Sequence, residues 1–200
     1  MNASIEEMTR CVEQVQVAHR VCAGFYQRLL PTLDKIARDA DFSFWEWGPT
    51  ETDRPCRSGT DPNSKWAWDM LPLFALQIRY RRFDAGPATA GDGAFTLRIY
   101  LEDSFSKERR PKGMGEVDAI ELPQGSATVD VHLHRCATPN DQTFEELWRD
   151  RKEPSVKHDK WEPCGEHLVT RTWQMGLAEF LLDPESVATH IKVSFNEPTA

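Results

Sequence analysis

The sequence predicts an α+β fold in which a long N-terminal helix packs on a largely antiparallel sheet of about five to six strands. Apolar residues recur at helical spacing up to residue 36, and alternate with polar residues in several segments after residue 41. No change of composition marks a domain boundary, and 200 residues suit one ordinary domain. We therefore expect a single domain over 1–200, with a helical layer at 4–39 and a sheet-forming region at 41–195.

The N-terminal helix is the clearest element. Ser4 and Glu7 have the spacing of a capping box, in which each side chain satisfies a backbone N–H at the start of a helix. A stripe of mostly apolar residues then advances in alternating steps of three and four, with His19 filling its one gap: Ile5, Met8, Val12, Val15, Cys22, Tyr26, Leu29, Leu33 and Ile36. One straight helix over 4–39 would be about 54 Å long, whereas a compact domain of this size is only roughly 40 Å across. Pro31 lacks an N–H and clashes with the preceding turn, so we predict a kink or an end near it, with helices at 4–29 and 32–39.

The strands follow from alternation of apolar and polar residues with a period of two. The predicted strands are 42–47, 74–83, 95–103, 129–136 and 190–195, and the second and third form an antiparallel hairpin. Thr143 and Glu146 indicate a second capping box that opens a short helix. Residues 166–182 fit either a strand or a helix. Of the two W-x-W pairs, Trp45 and Trp47, and Trp66 and Trp68, we expect core packing.

Charge and cysteine content limit the classes of partner. The chain has 24 Lys and Arg against 32 Asp and Glu, a formal net charge of −8, which opposes a surface built for nucleic acid or anionic membrane. Five cysteines without a framework spacing favour a reducing compartment. No signal peptide or apolar run long enough to span a membrane is visible. We expect a soluble cytoplasmic protein that binds neither nucleic acid nor membrane.

One candidate metal site lies on the strand 129–136. Alternation places Asp130, His132, His134 and Cys136 on one face, and two histidines two residues apart can reach one ion. Cys164 or His167 would supply a further ligand, and an open position would activate water for hydrolysis. The alternative is that this is simply the polar face of a sheet.

The same geometry suggests a candidate site for a small anionic ligand. If the three central strands are neighbours, Arg79, Arg81 and Arg98 share one face, with Tyr100 beside them. Guanidinium groups bind carboxylate and phosphate groups well. The alternative is ion pairing across the strands with Glu102 and Asp130, which stabilises a sheet only slightly.

No complete catalytic or nucleotide-binding motif occurs in the sequence, so we expect no catalytic residues and no cofactor beyond the metal considered above. The leading prediction is a non-enzymatic protein that recognises another macromolecule, most simply a protein. Immunity-type and antitoxin-like proteins have a similar makeup, although this is an analogy. A metal-dependent hydrolase and an anionic-ligand binder are the alternatives.

Overall fold

The computed structural model describes residues 4–50, 74–106, 122–152 and 159–197, and confirms the α+β architecture. Six antiparallel strands form one sheet in the order β1-β2-β3-β4-β6-β5. The strands are β1 (Ser43–Pro49), β2 (Ala75–Arg82), β3 (Gly93–Tyr100), β4 (Thr128–Cys136), β5 (Glu162–Pro163) and β6 (Leu168–Gly176). The helices are α1 (Ile5–Asp39), α2 (Phe144–Arg149), α3 (Leu177–Leu182) and α4 (Pro184–Asn196). The predictions for Trp66 and Trp68 lie outside the described residues.

Helix α1 begins at the predicted capping box, but it does not end near Pro31. The Glu7 N–H donates to Ser4 Oγ at 3.2 Å, and the Ser4 N–H donates to Glu7 Oε2 at 2.7 Å. The helix continues through Pro31 to Asp39, so the predicted break into 4–29 and 32–39 is wrong. The burial of Leu29 and Leu33 on either side of Pro31 offsets the hydrogen bond that the proline lacks.

The second half of α1 forms the core together with α4 and one face of the sheet, which we call the apolar face. This face carries the apolar side chains of alternate positions on β2, β3 and β4, all at most 6% exposed: Leu76, Ile78, Tyr80, Phe95, Leu97, Ile99, Val129, Val131 and Leu133. The Tyr80 hydroxyl donates to Asp34 Oδ1 of α1 at 3.0 Å. Burial, followed by the nearby Asp34 carboxylate, raises the pKa of Tyr80 far above its ordinary value, so the hydroxyl remains a donor.

The predicted last strand at 190–195 is wrong, because these residues belong to α4. Apolar and polar residues do alternate there, but Val187, Ile191 and Phe195 are four apart and all buried, which is helical spacing. Asp183 accepts a hydrogen bond from the Ser186 N–H, and Pro184 occupies the first turn, where its missing N–H costs nothing. The ambiguous segment 166–182 is a strand followed by a helix, β6 and then α3.

Two arginines of the apolar face fix the end of α4. Arg135 Nη1 donates to the carbonyl oxygens of Phe195 at 2.5 Å and Glu197 at 2.7 Å, satisfying carbonyl groups left free at a helix C-terminus. Arg171 bonds the carboxylates of Asp159 and Glu197, each at 2.5 Å. Burial tends to raise the pKa of Asp159, but the hydrogen bond and charge of Arg171, followed by those of His190, bring it below its ordinary value.

Within the described part of the chain, none of the helices combines the length and the apolar character that crossing a membrane requires.

The lowered pKa of Asp159 makes the Arg171 contacts sensitive to acid. Their stabilising contribution is complete above about pH 4, the ordinary range of an aspartic acid, and declines as the pH falls through the lowered value of the folded protein. We expect Arg171→Gln to lower the free energy of unfolding by about 2 kcal/mol at pH 7 in urea denaturation, and by less in acid. An equal loss at every pH would contradict this assignment.

The difference in burial between the two halves of α1 leads to a second prediction, on the free energy of unfolding. Leu33 is fully buried, so Leu33→Ala should lower the free energy of unfolding by about 3 kcal/mol. Val21 is 65% exposed, and Val21→Ala in the same helix should change it by no more than about 0.5 kcal/mol. Thermal and urea unfolding measure the effect of each substitution on stability. Equal losses of stability would mean that the two halves of α1 are packed alike.

Candidate functional site

The predicted binding side chains do share one face of the sheet, opposite the apolar face, which we call the polar face. The strand register places Arg79, Thr96, His132 and Thr172 in one row across β2, β3, β4 and β6. The next row is Gln77, Arg98, Asp130 and Gln174, and Arg81 and His134 lie in the row on the other side.

This polar face is largely buried, which differs from the open cationic surface that the anionic-ligand hypothesis requires. Thr96 and Asp130 are each 3% exposed, His132 6% and His134 0%. Asp130 Oδ1 accepts a hydrogen bond from Gln174 Nε2 at 2.7 Å. The ring of His134 packs edge-on against Trp148 of α2, with centroids 4.4 Å apart. Polar side chains here act mainly as a second interior layer of the fold.

The four residues predicted to bind an anion have different surroundings. Arg79 Nη1 forms an ion pair with Glu46 Oε1 of β1, and its guanidinium lies 5.9 Å from the centroid of Trp148. Arg81 is exposed, Arg98 is half-buried, and Tyr100 is 3% exposed beside Phe74 and Ala75. Their role in ligand binding stays a prediction, and Arg81 is the most accessible of the four.

The predicted metal ligands His132 and His167 are far apart. The Ala137 N–H donates to the carbonyl oxygen of His167 at 2.8 Å, which places His167 level with Ala137. His132 lies five residues back along β4, roughly 16 Å away at ~3.3 Å per residue, too far for these imidazoles to share an ion. Cys164 is buried in an apolar cluster with Cys136 and Leu168. Across the described ranges, no group of three or more His, Cys, Asp or Glu side chains is arranged to hold a metal.

Cys136 lacks the properties of an activated nucleophile. Its side chain is buried, and its Sγ donates to the Thr138 carbonyl at 3.0 Å. Burial raises the pKa of this thiol, and the charge of Asp92 raises it further, although the contact with Thr138 acts in the other direction. The neutral thiol therefore predominates near pH 7, whereas a nucleophile needs the thiolate.

Among the described residues, the exposed large apolar side chains are concentrated on the first half of α1. Every residue from 4 to 23 is exposed. The stripe continues along this half, and we call its members the free seam: Ile5, Met8, Val12, Val15, His19 and Cys22. Ile5 is 80% exposed and Val12 53%, whereas Leu33 and Ile36 of the same stripe are fully buried. The sequence reveals the stripe. The predicted helix is also longer than the domain is wide, and this excess length was the signal that half of the helix projects from the domain.

Strand β1, at an edge of the sheet, carries a smaller exposed apolar surface. Phe44 is 53% and Trp47 60% exposed, so the prediction that both tryptophans of this pair are core is wrong for Trp47. Trp45 does pack inward, against Phe83 and Trp148.

An open pocket of about 490 Å³ lies between two loops on the polar side of the sheet. Its lining residues are Pro87, Ala88, Thr89, Pro139, Asn140 and Asp141. Asp141 is the only ionisable side chain in this lining, so the pocket lacks the converging charged groups of a catalytic centre.

The structural role of the polar face can be tested at Gln174. Replacing it by leucine removes a donor from the buried Asp130 carboxylate, which should lower the free energy of unfolding by about 1–3 kcal/mol in urea denaturation. Gln142→Leu, at an exposed loop position, is the matched control and should have little effect. Gln174 is itself exposed, so neutrality of both substitutions would mean that its hydrogen bond to the buried Asp130 contributes nothing to stability.

Comparisons with known proteins identify a family but no individual relative. A search of curated proteins and a search of solved structures each returned no match. One family model, described as PM0109, matches residues 5–192, which span all of α1, the whole sheet and most of α4. The chain therefore belongs to the PM0109 family.

Proposed function

We propose that this is a non-enzymatic interaction protein that recognises another protein through the free seam of α1. The observation that carries the proposal is the exposure of large apolar side chains at the spacing that buries the rest of the same stripe. A row of exposed apolar side chains on a regular element is typical of an association surface, because the exposure of such side chains to water is unfavourable.

The expected gain from covering the seam is substantial. Ile5 is 80% exposed, and Met8, Val12 and Val15 are each just over half exposed. Burying one such side chain fully contributes about 1.5–3 kcal/mol, so partial burial of four still yields several kcal/mol. The second half of α1 is anchored in the core, so the partner does not have to meet the cost of forming the helix.

The positions of the candidate metal ligands and of the Cys136 thiol support binding rather than catalysis. His132 and His167 lie far apart, and the Cys136 thiol is buried with a raised pKa. The candidate chemical groups therefore do not converge on one reacting centre, as a catalytic site requires.

A cytoplasmic location is part of the same proposal. Among the described residues, the thiols of Cys11 and Cys22 on the exposed helix support it, because exposed thiols persist in a reducing compartment. A function similar to that of immunity-type or antitoxin-like proteins stays a prediction, which is based on composition.

Site-specific photo-cross-linking in living cells tests the proposal. A benzophenone amino acid at Val12 or Val15 should give a discrete protein adduct, because these positions lie on the free seam. The same probe at Val17 or Val21, which are 57% and 65% exposed and lie on the opposite side of the helix, is the control and should give none. No adduct at any position, or equal adducts at all four, would contradict recognition through the seam.

A further inference from the structure

We propose that the protein on the free seam is a second copy of this chain, with the two α1 helices paired antiparallel about a two-fold axis. This inference rests on the proposed function and deepens it by naming the partner. Two-fold dimers are the commonest protein assemblies, and each copy then uses the same surface.

The spacing of the seam supports a two-stranded coiled coil. Steps of three and four over residues 5–36 form a heptad repeat, with Ile5, Val12 and His19 at a positions and Met8, Val15 and Cys22 at d positions. In an antiparallel pair, an a residue of one helix meets a d residue of the other.

One register satisfies this pairing and also matches the length of the exposed segment. It places Ile5 opposite Cys22, Met8 opposite His19 and Val12 opposite Val15 of the other copy. In the same register, Ser4 of one copy lies level with Ala23 of the other. Gly24 is the first residue of α1 that is not fully exposed, so each helix ends where the other enters its domain. The midpoint of the exposed segment and the a-to-d pairing are independent criteria, and they select one register.

The positions that flank the seam favour contact with an identical helix. The e and g residues of the exposed half carry no charge: Thr9, Gln16 and Ala23, and Ser4, Cys11 and Ala18. Charges at these positions normally decide which helices pair, and like charges there keep copies apart. The uncharged and mostly small side chains of this helix place no such barrier between two copies.

The charges farther from the seam favour the antiparallel direction. Glu6, Glu7 and Glu13 make the start of α1 acidic, and Arg20 lies near the end of the exposed half. Antiparallel pairing separates the two acidic helix starts along the axis, whereas a parallel pair would bring both to the same end. Antiparallel pairing also opposes the two helix dipoles and keeps the two acidic domains at opposite ends of the pair.

The solution mass of the purified chain, measured by light scattering after gel filtration at micromolar concentration, gives the first test. We expect a dimer for the wild type. Val12→Glu with Val15→Glu should weaken dimerisation by about tenfold or more, because it brings four carboxylates together at the centre of the pair. Val17→Glu with Val21→Glu introduces the same charge on the other side of the helix and should leave the dimer intact. Unchanged thermal unfolding of the core, monitored by tryptophan fluorescence, confirms that both variants fold.

Disulfide cross-linking tests the direction. In a background with Cys11→Ser and Cys56→Ser, the antiparallel register keeps the two Cys22 residues about 25 Å apart along the helix axis, so mild oxidation should not link them. Adding Ile5→Cys should produce a covalent dimer, which disappears again with Cys22→Ser. A dimer linked through Cys22 alone would overturn the antiparallel register.

The failure of this inference can be told apart from that of the proposed function. A monomer in solution, with a seam-specific cellular adduct to a different protein, would overturn the second copy and leave recognition through the seam standing. A monomer with no seam-specific adduct would overturn both. Dissociation by Val17→Glu with Val21→Glu as readily as by the seam variant would overturn the two-stranded arrangement.

Discussion

The packing of the second half of α1 on the apolar face of the sheet is the interaction on which the rest of the structure depends. Leu29, Leu33 and Ile36 enter the core, and Asp34 holds the Tyr80 hydroxyl. This contact keeps the helix continuous through Pro31 and sets the direction in which its first half leaves the domain. The exposed half is therefore continuous with the helix that packs in the core.

Both faces of the sheet carry buried side chains. One face carries the apolar core, closed by α4, whose C-terminal end is held by Arg135 and Arg171. The other face buries Asp130, His132 and His134 in rows across the strands. Among the described residues, most of the large exposed apolar side chains lie on the first half of α1 and on β1.

Local patterns in the sequence predicted much of this fold. Alternation identified the four long strands at 43–136 to within a few residues, and the capping boxes of Ser4 and Thr143 identified two helix starts. Alternation failed at 190–195, where the Asp183 cap and helical burial outweigh a period of two. Alternation correctly predicted which side chains share the polar face. Whether that face is covered depends on tertiary packing, which a local pattern does not contain. The distance from His132 to His167 depends on tertiary packing in the same way. Likewise, the stripe on α1 was visible, while its division at residue 24 is set by the width of the sheet.

Hydrogen–deuterium exchange as a function of protein concentration tests the pairing of two α1 helices, because pairing protects the backbone amides of the exposed half of α1. At concentrations that favour association, we expect protection over residues 5–23 to rise towards that of residues 29–36 in the same helix. On dilution, protection over 5–23 should fall while protection over 29–36 stays constant. Protection over 5–23 that is low and independent of concentration would show that the helices do not pair.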